Sequence, residues 1–349
     1  MFSESEERTE LEQLGEFGLI NHLTKDLINS NKSTIKGVGD DAAVIDAGDK
    51  FMLVSTDMLV EGVHFDLMYA PMKHLGYKAV TVNLSDIYAM NGHPKQVTIS
   101  LALSNRFSLE ALDEFYAGVK LACDLYNVDV VGGDTTTSLS GLCISVTVIG
   151  EVEKEKIVYR SGANKNDLIC VSGDLGAAYI GLQLLEREKQ IFKDNSLVQP
   201  DLEGMDYILE RQLKPEARKE VVESLEKAGV VPTAMIDISD GLASELLHIA
   251  SQSDCGITIY EDKLPIDPST ISGAENLGLD GTIAALNGGE DYELLFTIPQ
   301  IHFETVKGLQ GISIIGHITE KEAGYNMIAR GENLIPLTAQ GWDSFFKKD

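Results

Sequence analysis

The sequence predicts an α+β protein built from two domains. Three observations lead there. The chain has 349 residues, more than one ordinary core organises, so two domains of about 100–200 residues each are the natural division. Strand-like and helix-like stretches mix in both halves without the strict βαβ alternation of a doubly wound sheet. A charged stretch, EVEKEKIVYR at 151–160, follows a strand. The boundary is placed there, giving domains 1–153 and 154–349.

Taken in order, Leu11, Leu14, Phe17, Ile20, Leu23 and Leu27 recur at spacings of three and four and predict an amphipathic helix over 9–30. KGVGDDAAV (36–44) is a glycine-aspartate loop. FMLVSTD (51–57) is a strand ending in polar residues, and 72–91 a helix carrying Asn83 and Asp86. QVTISLALS (96–104) is a strand, 108–126 a helix, and VDVVGGDTT (128–136) a strand running into a loop. LCISVTVIGEV (142–152) has the β-branched content of another strand. In the second half, LICVSGDLGAAYIGLQLL reads strand, glycine turn, helix. PEARKEVVESLEKAG (215–229) is a helix ending in glycine. MIDISDGLASELLHIAS (235–251) is a strand or loop entering a helix, and ELLFTIP (293–299) and ISIIGHIT (312–319) are strands. Each half has one aspartate-rich turn after an apolar run, GVGDDA and MIDISDG.

Composition narrows the function classes. Hydrophobic residues make up 44% and charged residues 24%, the balance of a globular chain. Polar residues break every apolar stretch well short of the ~20 needed to cross a bilayer. The start, MFSESEERTELEQL, is acidic and lacks the pattern of a signal peptide. A cytoplasmic location is expected. Cys123, Cys143, Cys170 and Cys255 are far apart and form no C-x-x-C pair, so neither a zinc knuckle nor a redox dithiol is expected. They read as small core side chains. The net charge of −27 repels nucleic acid and anionic membranes. It would also repel a nucleotide unless cations stood between protein and phosphates.

The aspartates carry the chemistry. GVGDDAAV supplies Asp40 and Asp41, VSTDMLVEGVHF Asp57, VNLSDIYAM Asp86, VGGDTTT Asp134, and IDISDGL Asp237 and Asp240. Each follows or abuts an apolar run, where rigid scaffolds present functional groups. Hard cations such as Mg²⁺ want such carboxylate oxygens. Any one of these aspartates alone is an ordinary turn or cap residue. Asp86 is sharper, because it falls among Leu84, Ile87 and Met90 on a helix, where an unpaired charge is costly. Other phosphate and catalytic motifs fail. The chain has no G-x-x-x-x-G-K-[ST] loop, no kinase H-R-D/D-F-G set, no H-E-x-x-H and no G-x-S-x-G. GVGDD lacks the third glycine of a dinucleotide fingerprint.

The ordered segments GDDAA, STDMLVEGVHF, NLSDIYAM, GGDT, RSGA, DISDGL and GGEDYELLF resemble the thiamine-monophosphate kinase family, from about residue 15 to Trp342. The wider superfamily includes aminoimidazole-ribotide synthetase, selenophosphate synthetase and a hydrogenase-maturation enzyme. The resemblance implies an aminoimidazole-ribotide-synthetase-like fold, with an N-terminal sheet that forms a barrel in a homodimer and a C-terminal α/β domain. It implies ATP and several Mg²⁺ ions at the cleft, with thiamine monophosphate as acceptor. Position by position, it assigns magnesium to Asp41, Asp57, Asp86, Asp134, Asp237 and Asp240, with Ser55 and Thr56 beside a metal. It assigns nucleotide contacts to Tyr116, Gly133, Asp134, Arg160 and Ser239, and acceptor contacts to His64, Glu290 and Trp342. Each has a bland alternative. Arg160 sits in a charged, solvated stretch, His64 could be a satisfied core histidine, Tyr116 could be packing, and Trp342 could anchor the tail. An indole face could equally stack on a flat cationic heterocycle, with Glu290 pairing with the same ring.

This chemistry explains why no catalytic base stands out. A phosphate monoester has a second pKa near ~6, so the attacking group is already mostly a dianion at neutral pH. The difficulty is electrostatic: at about 4 Å two unit charges repel by about 4 kcal/mol at an effective dielectric of about 20. Direct in-line transfer assisted by metal is expected. The alternatives are another ATP-dependent enzyme of the superfamily and a non-catalytic nucleotide-binding relative. No cysteine precedes Cys123, which disfavours a selenophosphate synthetase with its reactive N-terminal Cys. The full set of acidic positions disfavours a degenerate binder.

Overall fold

The computed structural model describes residues 14–339, so Leu11 and Trp342 lie outside the described residues. The first helix, α1 (Gly15–Thr24), is shorter than the 9–30 stretch that the periodicity marks, and none of its residues is buried. Its apolar stripe faces outward. It meets the second domain where the Phe17 ring stands 4.4 Å from that of His248.

Six strands form the N-terminal sheet: β1 (Thr34–Lys36), β2 (Ala43–Asp46), β3 (Lys50–Val60), β4 (His93–Leu103), β5 (Asp129–Thr137) and β6 (Cys143–Glu153). Their order is β1-β2-β3-β6-β4-β5. All neighbours are antiparallel except β4 and β5. Two strands are longer than their composition suggests. The polar Ser55-Thr56-Asp57 does not end β3, because β6 pairs with it from Lys50↔Glu153 to Val60↔Cys143. Likewise GGDTT is strand rather than loop, because β4 pairs with it as far as Leu103↔Thr137. Ladder hydrogen bonds override the turn preference of these residues.

Helices α2 (Met72–Ala89) and α3 (Leu109–Tyr126) cover one face of the sheet. Their backbones touch through a reciprocal pair of glycines. A Cβ on Gly76 would lie 2.0 Å from the Phe115 carbonyl oxygen, and one on Gly118 1.8 Å from that of Lys73. From Leu75 to Met90 every residue is buried except Asp86. Burying each large apolar side chain there contributes about 1.5–3 kcal/mol, so the helix is fixed in position around that one aspartate.

The second sheet has the order β13-β12-β9-β11-β7-β10-β8. Its strands are β7 (Leu168–Ser172), β8 (Ala234–Asp237), β9 (Gly256–Tyr260), β10 (Leu294–Ile298), β11 (Ile312–Thr319), β12 (Tyr325–Ile328) and β13 (Leu334–Pro336). It is antiparallel except between β9 and β12. Side chains alternate along the strands and serve two cores. Leu294, Phe296 and Ile298 join a core that continues into α2 and the first sheet. Leu295 joins a second core, with Leu246 and Ile249 of the helix Leu242–Ser253. Thus the sheets divide between Glu153 and Leu168, yet one apolar core crosses the division.

The helix Lys219–Lys227 starts later than the 215–229 stretch. The preceding residues are engaged elsewhere: Glu216 accepts hydrogen bonds from the hydroxyls of Tyr77 and Tyr126, and Arg218 pairs with Glu293. Cys123, Cys170 and Cys255 are buried and Cys143 half-buried, all as free thiols. Among the described residues no helix is long and apolar enough to cross a membrane.

Candidate active site

Three carboxylates from three separate segments meet at the junction of the domains. Asp41 comes from the loop between β1 and β2, Asp86 from α2, and Asp237 from the end of β8. One oxygen of each lies within 4.8 Å of the others. Asp41 is buried, and its Oδ1 accepts from Arg160 Nη2 at 2.7 Å and Nε at 3.1 Å. Its Oδ2 is buried without a hydrogen-bond partner among the described residues. Ser55 donates its hydroxyl to Asp86 Oδ2 at 2.6 Å. Asp57, two residues further along β3, projects from the same face. Its backbone N–H donates to Asn83 Oδ1 at 3.0 Å, tying β3 to α2. Thr56 faces the other way: its hydroxyl donates to the Val146 carbonyl at 3.1 Å.

These carboxylates hold their protons more tightly than ordinary ones. Burial pushes Asp41 up to about 7 although Arg160 opposes it. Burial, with the charges of Glu16 and Asp41, raises Asp57 to about 6. Asp237 rises to about 6, chiefly by burial. Asp86 lies well above the usual range, through burial and then the charges of Asp57, Asp237 and Asp41. The site therefore packs several acids without enough local cation, and Arg160 alone does not balance them. Unpaired buried charge is expensive, and a hard divalent ion takes carboxylate oxygens at this density. The residues fit such an ion.

Beside this cluster stands a second group. Glu290 Oε2 accepts from Lys78 Nζ at 2.9 Å and Gln212 Nε2 at 2.7 Å. Lys78 is itself buried and also donates to the Gln212 carbonyl at 3.2 Å. His64 is near enough to feel the charges of both Glu290 and Lys78, and burial lowers its pKa. Its Nδ1 accepts from the Val60 N–H at 3.0 Å. His64 is thus satisfied locally, within the field of Glu290.

The segment carrying Glu290 has unusual backbone. Glu290 and Tyr292 both have left-handed φ, 60° and 50°, a cost of about 1–2 kcal/mol each for side chains with a Cβ. Asp291 and Glu293 point into the interior. Asp291 accepts from the Gly176 N–H at 2.9 Å, and Glu293 pairs with Arg211 at 2.8 Å and with Arg218. These buried bonds hold the strained segment. On the other side, Glu290 N–H donates to the Ser239 carbonyl at 2.7 Å and Tyr292 N–H to that of Ile238 at 2.8 Å. The aspartate turn of the second domain is thereby fixed beside Glu290. Asp240 at the same turn donates its N–H to Glu245 Oε1 at 2.9 Å.

The remaining expected residues lie apart from the cluster. Asp134 and Gly133 are on β5, which is exposed along its whole length. Asp134 Oδ1 accepts from the Thr135 N–H. A Cβ on Gly133 would sit 1.9 Å from the Ile99 carbonyl oxygen, so close strand packing alone requires glycine there. Tyr116 is exposed on α3, edge-on to Phe115. Arg160 is not a solvated charge; only 18% of its side chain is exposed. Sequence reasoning missed Lys78, Tyr292, Glu16 and Glu245. Lys78 had a signal, a lone charge in the apolar helical run YKAVTVNL.

Comparison with known proteins agrees with this architecture. Residues 39–152 match the family described as AIR synthase related protein, N-terminal domain. The thiamine-monophosphate kinase of Aquifex aeolicus (strain VF5) is 37% identical over 96% of this chain and 99% of its own length. That of Bacillus subtilis (strain 168) is 36% identical over 95% and 100%. The solved structure of AaThiL complexed with AMPPCP and TMP superposes with a TM-score of 0.83 at 35% identity, covering 97% of this chain and 99% of that one. The hydrogenase maturation protein HypE in complex with ATP shares the fold, with a TM-score of 0.67 at 22% identity. The fold is the two-domain α+β fold of the AIR synthase group. With this identity over nearly the full length of both chains, the chain belongs to the thiamine-monophosphate kinase family.

Proposed function

We propose that this chain transfers the γ-phosphoryl group of ATP to the phosphate of thiamine monophosphate, giving thiamine diphosphate and ADP. The observation that carries the reading is the convergence of Asp41, Asp86 and Asp237, from both sheets' domains, beside the Glu290–Lys78–His64 group. Asp41, Asp57, Asp86 and Asp237, with Ser55 and Asp240 alongside, would hold Mg²⁺. When bound, that ion neutralises phosphate charge and offsets the repulsion between two anionic reactants. Arg160 and Ser239 flank the donor side, and Glu290 and His64 face the cationic ring of the acceptor. Trp342 is proposed as the stacking partner of that ring. No protein base is needed, because the acceptor arrives ionised. The enzyme's own contribution is positioning.

Gly133, Asp134, Thr56 and Tyr116 are proposed for the nucleotide and metal on the exposed side of the first sheet. A second copy of the chain would cover that side. In support, β5 is an open edge along which Val130 and Val131 are exposed, and Leu121 and Leu125 are exposed on α3. Open edge strands are normally covered. Sedimentation should give twice the mass of one chain; the mass of a single chain would refute the dimer. The domain division near 153/154 and a cytoplasmic location complete the proposal.

The test is direct. Protein incubated with ATP, MgCl₂ and thiamine monophosphate should form thiamine diphosphate, and free thiamine in its place should yield no phosphorylated product. Phosphorylation of thiamine itself, or ATP binding without turnover on the monophosphate, would redirect the assignment to another acceptor.

A further inference from the structure

Glu290 is held by two buried side chains from different domains. Lys78 Nζ, on α2, and Gln212 Nε2, on the helix Asp206–Leu213, donate to it at 2.9 Å and 2.7 Å, and both bonds fall on the same oxygen, Oε2. Lys78 also donates to the Gln212 carbonyl at 3.2 Å, so the three residues close a ring. Only 6% of the Lys78 side chain and 4% of Gln212 are exposed, against 25% of the Glu290 side chain. Of the three, Glu290 is the one a ligand can reach. The helix end that carries Gln212 also grips the adjoining segment: Arg211 Nη2 donates to the Asp291 carbonyl at 3.4 Å and to Glu293 Oε1 at 2.8 Å. Lys78 in turn lies on the helix that carries Asp86. The ring therefore ties the strained segment at Glu290 to the helix of the carboxylate cluster.

As a device for stability this arrangement is poor. A buried lysine–glutamate pair gains little over apolar packing of the same volume, because desolvation offsets the attraction. Gln212 makes its bond with Oε1 buried and without a partner among the described residues, a costly state for an amide. Glu290 adopts a left-handed φ of 60°, and such strain concentrates at functional positions. What these costs secure is a single orientation of one carboxylate. We propose that Lys78 and Gln212 are positioning residues: they fix the Glu290 carboxylate through Oε2, leave its other oxygen for the acceptor, and so set the affinity for the acceptor without touching it. This rests on Glu290 contacting the acceptor, as proposed above.

A double-mutant cycle tests this. Glu290→Gln should raise the KM for thiamine monophosphate about 10-fold or more. Lys78→Met should raise the same KM about 10-fold and Gln212→Leu about 3- to 10-fold, the size expected for one hydrogen bond to a charged group. In both, the KM for ATP should stay within about twofold and turnover at saturating acceptor within about threefold, the pattern of lost ground-state binding. On a Glu290→Gln background either substitution should add less than about twofold, because each acts through that carboxylate. Effects that multiply on that background would show that Lys78 and Gln212 act independently of Glu290 and overturn the proposal. Equal rises in KM for ATP and acceptor would confine both residues to holding the fold and overturn it as well, as would an unchanged acceptor KM in the two single variants. Gln212→Leu leaves every charge in place and carries the test if Lys78→Met does not fold. If Glu290→Gln itself leaves the acceptor KM unchanged, the placement of Glu290 at the acceptor fails and the proposal with it, a result distinct from the others.

Discussion

Asp86→Asn is expected to lower turnover on the order of 1,000-fold while raising the melting temperature of the metal-free protein at pH 8. Both effects come from one feature. Asp86 is the only unburied residue in the run from Leu75 to Met90, and its carboxylate faces Asp57, Asp237 and Asp41. Asn removes the cost of keeping this carboxyl, in either protonation state, among the other acids when no metal is bound. Asn can still accept the Ser55 hydroxyl, so packing is kept. What is lost is a proposed ligand for the ion that would balance the phosphates, and losing one well-placed electrostatic contact in a transfer site commonly costs 100- to 1,000-fold (about 3–4 kcal/mol). Stability gained where activity is lost marks a functional site. Near-normal turnover would remove Asp86 from the centre. A lower melting temperature in EDTA would show that the cluster carries no net repulsion.

The second large effect is a pH-dependent stabilisation by Mg²⁺. Asp41, at about 7, and Asp57 and Asp237, at about 6, all lie above the ordinary aspartate value. Between roughly pH 4 and 7 the folded state therefore binds more protons at these groups than the unfolded chain does. Their contribution to stability is full below about 4 and lost as pH rises through about 7. A divalent ion must displace those protons to bind. At pH 8 Asp41, Asp57 and Asp237 are ionised and the ion displaces fewer protons than at pH 5.5, where these three hold them. A ligand at 100 times its Kd stabilises by about 2.7 kcal/mol, and about 2–4 °C accompanies each kcal/mol in a chain of this class. Thermal scans with MgCl₂ against EDTA should show a rise of about 5–10 °C at pH 8 and little at pH 5.5. Equal increments at both values would mean that the ion binds elsewhere.

Much of this site was legible in the sequence, for identifiable reasons. Asp86 stood out because a charge inside an apolar helical run is costly unless it is paired or metal-bound, and it does lie against Asp41 and Asp237. Asp41 and Asp237 follow apolar runs that become buried strands or loops. The positions that sequence patterning described less well fail for physical causes. The polar triplet Ser55-Thr56-Asp57 suggests a strand end, yet β6 pairs across it, so Ser55 and Asp57 reach the cluster from mid-strand while Thr56 faces away. Arg160 suggests a solvated charge, because nothing local reveals that Asp41, 119 residues away, comes to lie against it. The apolar stripe of α1 is correctly periodic but has no buried residue, since period fixes a face and not its partner. Left-handed φ at Glu290 and Tyr292 is invisible in Gly-Gly-Glu-Asp-Tyr; it depends on the buried pairs of Asp291 and Glu293 with distant groups.

The central claim is that Asp41, Asp86 and Asp237 together hold the divalent ion that ATP requires. Crystals grown with Mn²⁺ and AMPPCP test it most directly, through the anomalous signal of the metal. The account predicts a peak bonded to oxygens of all three aspartates, at roughly the 2.0–2.2 Å of hard-cation coordination, and to the nucleotide phosphates. A metal carried only by the nucleotide, with the three aspartates unbound and still protonated, would contradict it.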